Sequence, residues 1–542
     1  AGELAAALRD AGRLNKTPIV VGFVAAAVAA GVVALAASRA GRAAPLDQDL
    51  IAVAPLDVAS PSLSIWKEGL VDVLSRGLDG AGPVRAVPAS QVIHRWRGRA
   101  DPQSARELGR ATGARFVVFG GLLVAGDSVR ATLSMLDVAS GRTVAEIQYV
   151  DAADRMDRLS DSLTVAVLRE IGRSRNIDLA HATSSPTTSL SALKEYLRGE
   201  QFYRAAEWDS AETHFVSALA SDTAFALAYH RLATVRFWRD QKRIPDSSTF
   251  TLLLQASRFQ RGLGPRERLL ATADSLFGAG YFAWRSALQT GKYGEEDAIA
   301  HRLLALLGDA FTRYPNDAEV CFLYAEAMMR YQGNVVLGEV DERSILEHYE
   351  HAIELDSSFA PAYLTPIRLA TYLDGARVGR RYARAYLSLA PSGPRSDFIR
   401  LADVLLDPDR AATLDIARLV DTLPANQLCV ASRLLGHVTD SAETIVRIAR
   451  ELSKRPPETL TEGQHPSCAV EQAVQGLQFR GHLREAEAMT TTHAHWLRST
   501  VRYNMARAGM LSADSARAEF RRILDLLPRT QFTKLYGWWA TD

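Results

Sequence analysis

The stretch Ala211-Glu-Thr-His-Phe215-Val-Ser-Ala218-Leu-Ala-Ser-Asp222-Thr-Ala-Phe225-Ala226-Leu-Ala228-Tyr229 returns, in outline, further down the chain. Phe215, Ala218, Asp222, Phe225, Ala226, Ala228 and Tyr229 are matched by Tyr349, Ala352, Asp356, Phe359, Ala360, Ala362 and Tyr363, all at one offset (349 − 215 = 134). Seven matches at a constant offset mark an internal repeat, and the offset is close to four units of about 34 residues, a period of stacked helical hairpins. Ala211, Phe215 and Ala218 run small, bulky, small at helical spacing, which lets two antiparallel helices approach closely. Arg204 to Trp208 supplies the connection before them.

Similar endings recur. Leu307, Ala310 and Pro315 precede Ala318-Glu-Val-Cys-Phe-Leu-Tyr324, Gly481-His-Leu-Arg-Glu-Ala486 reads as a turn into a second helix, and Phe520, Ile523 and Pro528 close the last unit. Residues 189–542 are therefore expected to form eight or nine degenerate helix pairs. Each pair buries its apolar face only against its neighbours, so stacking makes a long surface suited to peptides or protein edges. Ahead of the array, Ala182-Thr-Ser-Ser-Pro-Thr-Thr-Ser189 has linker composition, which places a linker at 173–188.

Residues 47–172 read differently. Leu50 to Leu56 is a short apolar run suited to a buried strand, and Trp66, Leu70, Val73, Leu74 and Leu78 follow at helical spacing. Val84 to Pro88 gives a second strand, Ser104 to Thr112 a helix, and Arg115 to Leu123 a third strand; turns at Ala125-Gly-Asp-Ser128 and Ser140-Gly141 divide two more. An α/β domain ending in a meander is expected.

Upstream, Pro18 to Ser38 carries no charge over 21 residues, enough to cross roughly 30 Å of hydrocarbon at about 1.5 Å per residue. Residues 17–38 are thus expected to be a transmembrane helix after a short cytoplasmic N-terminus, residues 1–16. A signal peptide is the rival, but its apolar core is usually only about 7 to 15 residues. Arg9, Arg13 and Lys16 before the span outnumber Arg39 and Arg42 after it, which favours a periplasmic bulk. Gly22, Ala26 and Ala30 recur every four residues and offer a face on which another membrane helix could pack. Tyr536, Trp538 and Trp539 place three large aromatics near the C-terminus, where they could cap the last repeat or contact a partner.

The ordered blocks Ile51-Ala-Val-Ala-Pro55, Gly69-Leu70, Gly113-Ala-Arg-Phe-Val-Val-Phe-Gly-Gly121, Ala125-Gly-Asp127, Leu136-Asp137 and Ser140-Gly141-Arg142 resemble the TolB-like N-terminal domain. The segment before Gly69-Leu70 departs from it, reading Ser60-Pro-Ser-Leu-Ser-Ile-Trp66 where an acidic, aromatic segment is usual. Gly264-Pro-Arg-Glu-Arg-Leu-Leu270 and Tyr314-Pro-Asn-Asp-Ala318 resemble the tetratricopeptide repeats attached to such domains in membrane-bound bacterial serine/threonine-kinase-like signalling proteins. The resemblance implies no catalytic residues in this part of such proteins.

Composition excludes several functions. The 542 residues are 47% hydrophobic and 23% charged, with 63 Lys and Arg against 62 Asp and Glu, so a net charge of +1 gives no field to gather nucleic acid. Fifty-six of the cations are Arg and seven Lys, which reads as GC-rich coding. Cys321, Cys429 and Cys468 lack the paired spacing of a zinc site. Gly291-Lys292 lacks the Ser or Thr of a phosphate loop, and His348/His351 and His493/His495 lack further ligands. The kinase motif set is absent. His94-Arg-Trp-Arg-Gly-Arg99 could grip phosphate or a single strand, but a surface loop or domain contact accounts for it better. No enzyme activity, cofactor or metal is expected.

The expectation is a mainly α chain: transmembrane helix, α/β domain, helical-hairpin solenoid. It would be a non-catalytic scaffold in a bacterial inner membrane, bound to the bilayer through residues 18–38 and to integral membrane proteins of a larger complex, conceivably photosynthetic or respiratory. The alternative is the sensor or output region of a kinase-like signalling protein.

Overall fold

The computed structural model describes residues 46–81, 84–175, 189–239, 247–260, 263–290, 294–331, 341–389, 394–423, 442–456, 461–462, 465–466, 468–492 and 497–526. The apolar run with Gly22, Ala26 and Ala30, the C-terminal Tyr536, Trp538 and Trp539, and Gly291, Lys292, Cys429, His493 and His495 lie outside these residues. Among the described residues no helix is long and apolar enough to cross a membrane.

The first domain is a sheet with helices packed on it. β1 (Asp47–Val53) carries the unbroken apolar run Leu50–Val53, buried on both faces, as a central parallel strand requires. It lies between β3 (Arg85–Ala86) and β4 (Ala114–Ala125), parallel to both, while the two-residue β2 (Asp57–Val58) pairs with the far end of β4. β4, β5 (Ser128–Asp137) and β6 (Arg142–Ala152) form the expected antiparallel meander. In β5 the alternate residues Val129, Ala131, Leu133 and Met135 are buried and the residues between them face outward. Helix α1 (Ser64–Leu78) packs Trp66, Leu70 and Leu74 into this core. The short α2 (Ala89–Arg95), α3 (Pro102–Thr112, capped by the Asp101 carboxylate) and α4 (Met156–Arg175) complete the domain.

The array begins with α5 (Leu190–Arg204) and α6 (Trp208–Ser221), then α7 (Ala226–Arg239) and α8 (Ser247–Arg258), α9 (Pro265–Thr290) and α10 (Glu295–Arg313), α11 (Ala318–Tyr331) and α12 (Glu342–Leu355), α13 (Pro361–Asp374) and α14 (Ala376–Ser388). These five hairpins lead into a less regular stretch: α15 (Pro394–Leu405), α16 (Pro408–Ala412), α17 (Ile416–Thr422) and α18 (Ala442–Leu452). Two further hairpins follow, α19 (Cys468–Phe479) with α20 (Leu483–Thr492), and α21 (Arg498–Arg507) with α22 (Ala513–Leu526).

The repeat read from sequence is a repeat of geometry. Asp222 N–H donates to Ala218 O at 2.9 Å and Asp356 N–H to Ala352 O at 3.0 Å. Each carboxylate then accepts from the N–H two residues on, and Tyr229 and Tyr363 each donate a hydroxyl hydrogen bond to the carbonyl six residues back. The offset nevertheless spans three hairpins, from α6 to α12, rather than four. The 26-residue α9 and 19-residue α10 lengthen the intervening unit well beyond 34 residues.

Two of the turns inside hairpins share one form. Gly481 N–H donates to Gln478 O and His482 N–H to Leu477 O, and Ala206 and Glu207 make the same pair of bonds to Tyr203 and Phe202. This 6→1 and 5→2 pattern closes a helix through a left-handed residue, with φ of 57° at Ala206 and 75° at Gly481. Nothing crowds a Cβ at 481, so the cost of a side chain there is backbone strain alone. Gly481→Ala is expected to destabilise the last two hairpins by about 1–2 kcal/mol, read as faster hydrogen exchange in α19 and α20 with the first domain unaffected.

Candidate interaction surface

The first helices of successive hairpins line one face of the array, and that face carries a chain of buried charges. Arg231 on α7 donates Nε–H to Glu200 on α5 at 2.7 Å and a second bond to Glu319 on α11. Arg266 on α9 reaches Glu319 at 2.9 Å and Asp317 just before α11. His230 is set between Asp274 of α9 and Glu319. Sequence separations of 31 to 89 residues along the chain become single contacts here.

Electrostatics follow from burial. Burial alone would push the Glu319 carboxyl up, but Arg231, the His230 hydrogen bond and Arg266 hold it well below its ordinary value. Burial pulls the His230 imidazolium down, yet Asp274 and Glu319 outweigh it and raise it from 6.5 to about 9. His230 is therefore a cation at neutral pH, paired on both ring nitrogens.

The α/β domain rests on this face. Arg204 at the end of α5 donates to Glu68 and Asp72 of α1, both at 3.1 Å, and Arg76 of α1 donates to the Tyr196 hydroxyl at 2.8 Å. Gly69 lets α1 approach α5 closely, since a Cβ there would lie 2.6 Å from Leu197 Cδ1. From α2, Gln91 donates to Asn316 O at 2.9 Å, Arg95 to Leu355 O at 2.9 Å, and His94 Nε2 lies 2.7 Å from Ser357 Oγ. The basic and aromatic segment His94 to Arg99 thus includes a contact between the two parts, the bland reading of that cluster. Its short helix was not expected.

Asp79, just past α1, is buried against Glu267 of α9. Burial, with the Glu267 charge beside it, raises its carboxyl from 3.8 to about 7.

A cavity of about 70 Å³ opens between α7, α8, α9 and α11. Phe237, Trp238, Phe250, Phe277 and Phe322 wall it, Glu326 and Arg330 stand near its exposed end, and His230 and Tyr203 lie toward the buried charges. Tyr203 also borders a polar cavity of about 30 Å³ at the domain junction, and its buried hydroxyl makes no hydrogen bond.

The histidine pair does not form a metal site: the His348 ring packs edge-on against Phe311 and Tyr324, and His351 Nε2 lies 2.9 Å from Pro315 O. Among the described residues no group of three His, Cys, Asp or Glu could hold a metal ion. Cys321 is a buried free thiol.

No protein-family model matches this chain, and neither does any curated protein. Among solved structures it is similar to the P58(IPK) TPR domain, at 17% identity over 61% of this chain and 98% of that one, with a TM-score of 0.19. It is also similar to the human IFIT1 dimer with PPP-AAAA, at 12% identity over 61% of this chain and 77% of that one, TM-score 0.26. A monomeric IFIT1 mutant with m7Gppp-AAAA matches at 13% identity over 62% and 77%, TM-score 0.25. At such TM-scores the superpositions carry no argument, and it is the succession of helical hairpins that makes this a tetratricopeptide-like helical-repeat region.

Two outcomes follow for the junction. Arg204→Ala leaves Glu68 and Asp72 without their shared cation and is expected to cost about 3–5 kcal/mol in denaturant unfolding; a loss under 1 kcal/mol would show the contact to be incidental. A carboxyl or imidazole whose proton is held more tightly in the folded chain stabilises it fully below its ordinary value and ceases to as pH rises through the folded one. Asp79 (3.8 to about 7) and His230 (6.5 to about 9) have the same sign, so together they are expected to lower stability from about pH 4 to 9. Asp79→Asn should flatten the pH 4–7 part of that slope and leave the pH 7–9 part, as measured by the urea midpoint against pH.

Proposed function

We propose that this chain is a non-catalytic, membrane-anchored scaffold that binds protein partners through its helical repeats. The observation that carries this reading is the array itself: stacked hairpins whose inner face holds the chain's own α/β domain, so that both parts present one composite surface. Partner sites then fall on what the domain leaves open. The last hairpins expose Phe479 and Tyr503, and the Asn504–Gln478 hydrogen bond at 2.8 Å brings α19 and α21 together beside them. Exposed large apolar side chains on neighbouring turns suit a protein contact.

The uncharged run at 18–38 supports an anchor in a bacterial inner membrane with the bulk periplasmic, and Gly22, Ala26 and Ala30 would pack against a neighbouring membrane helix. Within this reading the chain is an accessory subunit of a larger membrane complex. The tight docking of the TolB-like segment on the repeats favours a second reading, the sensor or output region of a kinase-like signalling protein, because a coupled pair of domains can relay a contact made on either.

Gentle solubilisation of native membranes with a C-terminal tag, followed by sizing and mass spectrometry, separates the two. Stoichiometric recovery with several integral membrane proteins is the result expected for a subunit. Recovery with a kinase domain, encoded upstream or on a partner, supports the signalling reading, and elution as a lone chain contradicts the scaffold.

A further inference from the structure

We propose that the aromatic cavity between α7, α8, α9 and α11 is a binding site for a neutral phenol-like group, a single aromatic ring bearing one hydroxyl. This specifies one binding site on the scaffold proposed above.

Three observations select that ligand class. The walls are ring faces and edges: Phe237, Phe250, Phe277 and Phe322 come from four different helices and converge on about 70 Å³. Aromatic rings pack edge-to-face and offset-stacked with such walls at a gain beyond area alone. The space is about half of the ~150 Å³ that holds benzene in an engineered apolar cavity, so a ring would enter edgewise and extend toward the open end. That end is bordered by Arg330, whose guanidinium already lies 5.7 and 5.6 Å over the rings of Phe237 and Phe277.

Charge selects a neutral ligand. At the buried end Glu319 is paired with Arg231, Arg266 and His230, and Asp274 with His230, so an ion there would meet no free counter-charge and would lose its hydration uncompensated, while Glu326 and Arg330 line the rest of the cavity. Tyr203 lines the cavity, is buried, and has a hydroxyl with no hydrogen-bond partner. A buried hydroxyl without a partner costs free energy that a ligand oxygen would recover. A phenol supplies both the ring and the oxygen, whether as a free molecule or at the end of a tyrosine side chain.

The test uses the full chain in non-ionic detergent, titrated with p-cresol and, separately, toluene, and followed by saturation-transfer NMR. Variant chains in the same detergent cancel partition of the probes into micelles. Saturable p-cresol binding is expected, about five-fold tighter than toluene, and Tyr203→Phe should remove that preference while leaving toluene binding unchanged. Ala233→Leu, which fills the cavity from α7, should abolish binding of both; circular dichroism and Ala233→Ser check that the fold survives. If p-cresol binds, a short tyrosine-containing peptide competing for the same signal assigns the site to a protein segment, whereas no competition assigns it to a free molecule. Absence of saturable binding, binding that Ala233→Leu leaves intact in a folded chain, or equal affinity for p-cresol and toluene would overturn the proposal.

Discussion

Charges cannot be taken out of water singly, and the middle of this molecule is arranged around that constraint. Arg231 lies between Glu200 and Glu319, Arg266 between Asp317 and Glu319, and Arg204 between Glu68 and Asp72, so each cation satisfies two acids that lie outside its own helix. A buried pair need not stabilise a fold more than apolar residues of the same shape would, but breaking one strands a charge. The consequence is specificity. Four helices of the array and one of the α/β domain meet in an arrangement that gives each of these three cations its two acids.

The same constraint bears on function. Stacked helical hairpins usually offer their inner face to a partner, and here α1 and α2 of the first domain take up much of it. The junction is buried enough that the Glu267 charge on the array helps to raise the Asp79 carboxyl of the first domain. A junction of this kind passes on a displacement at either end, which suits both a scaffold within an assembly and a relay.

Much of this fold was legible in the residues. The matched positions from Phe215 to Tyr229 and Tyr349 to Tyr363 announced the repeat because turn formation depends on local residues: an Asp that caps, a Tyr that folds back, small residues where helices cross. The five main strands were legible for a similar reason, since alternation and unbroken apolar runs are local patterns. The number of units within the offset was not, because the lengths of α9 and α10 have no local signature. Nor was the junction. Arg231 and Glu319 are 88 residues apart, and nothing near either one names the other. By itself the excess of Arg over Lys reads as coding bias, yet every cation of the buried network except His230 is an Arg, whose planar fork can hold two carboxylates where a Lys offers a point charge. The candidate membrane contacts Gly22, Ala26 and Ala30 and the C-terminal aromatics lie outside the described residues, while the aromatic cavity gathers side chains from four helices that no single stretch reveals.

The central claim is that the α/β domain and the first hairpins are one cooperative unit held by this network. Native-state hydrogen exchange across a denaturant series measures that directly. Buried amides of α1 should open with the same free energy and the same denaturant dependence as those of α5, α7 and α11. Opening of α1 at a distinctly lower free energy, while α7 and α11 stay protected, would mean that the domain is merely apposed to the array, and would contradict the account.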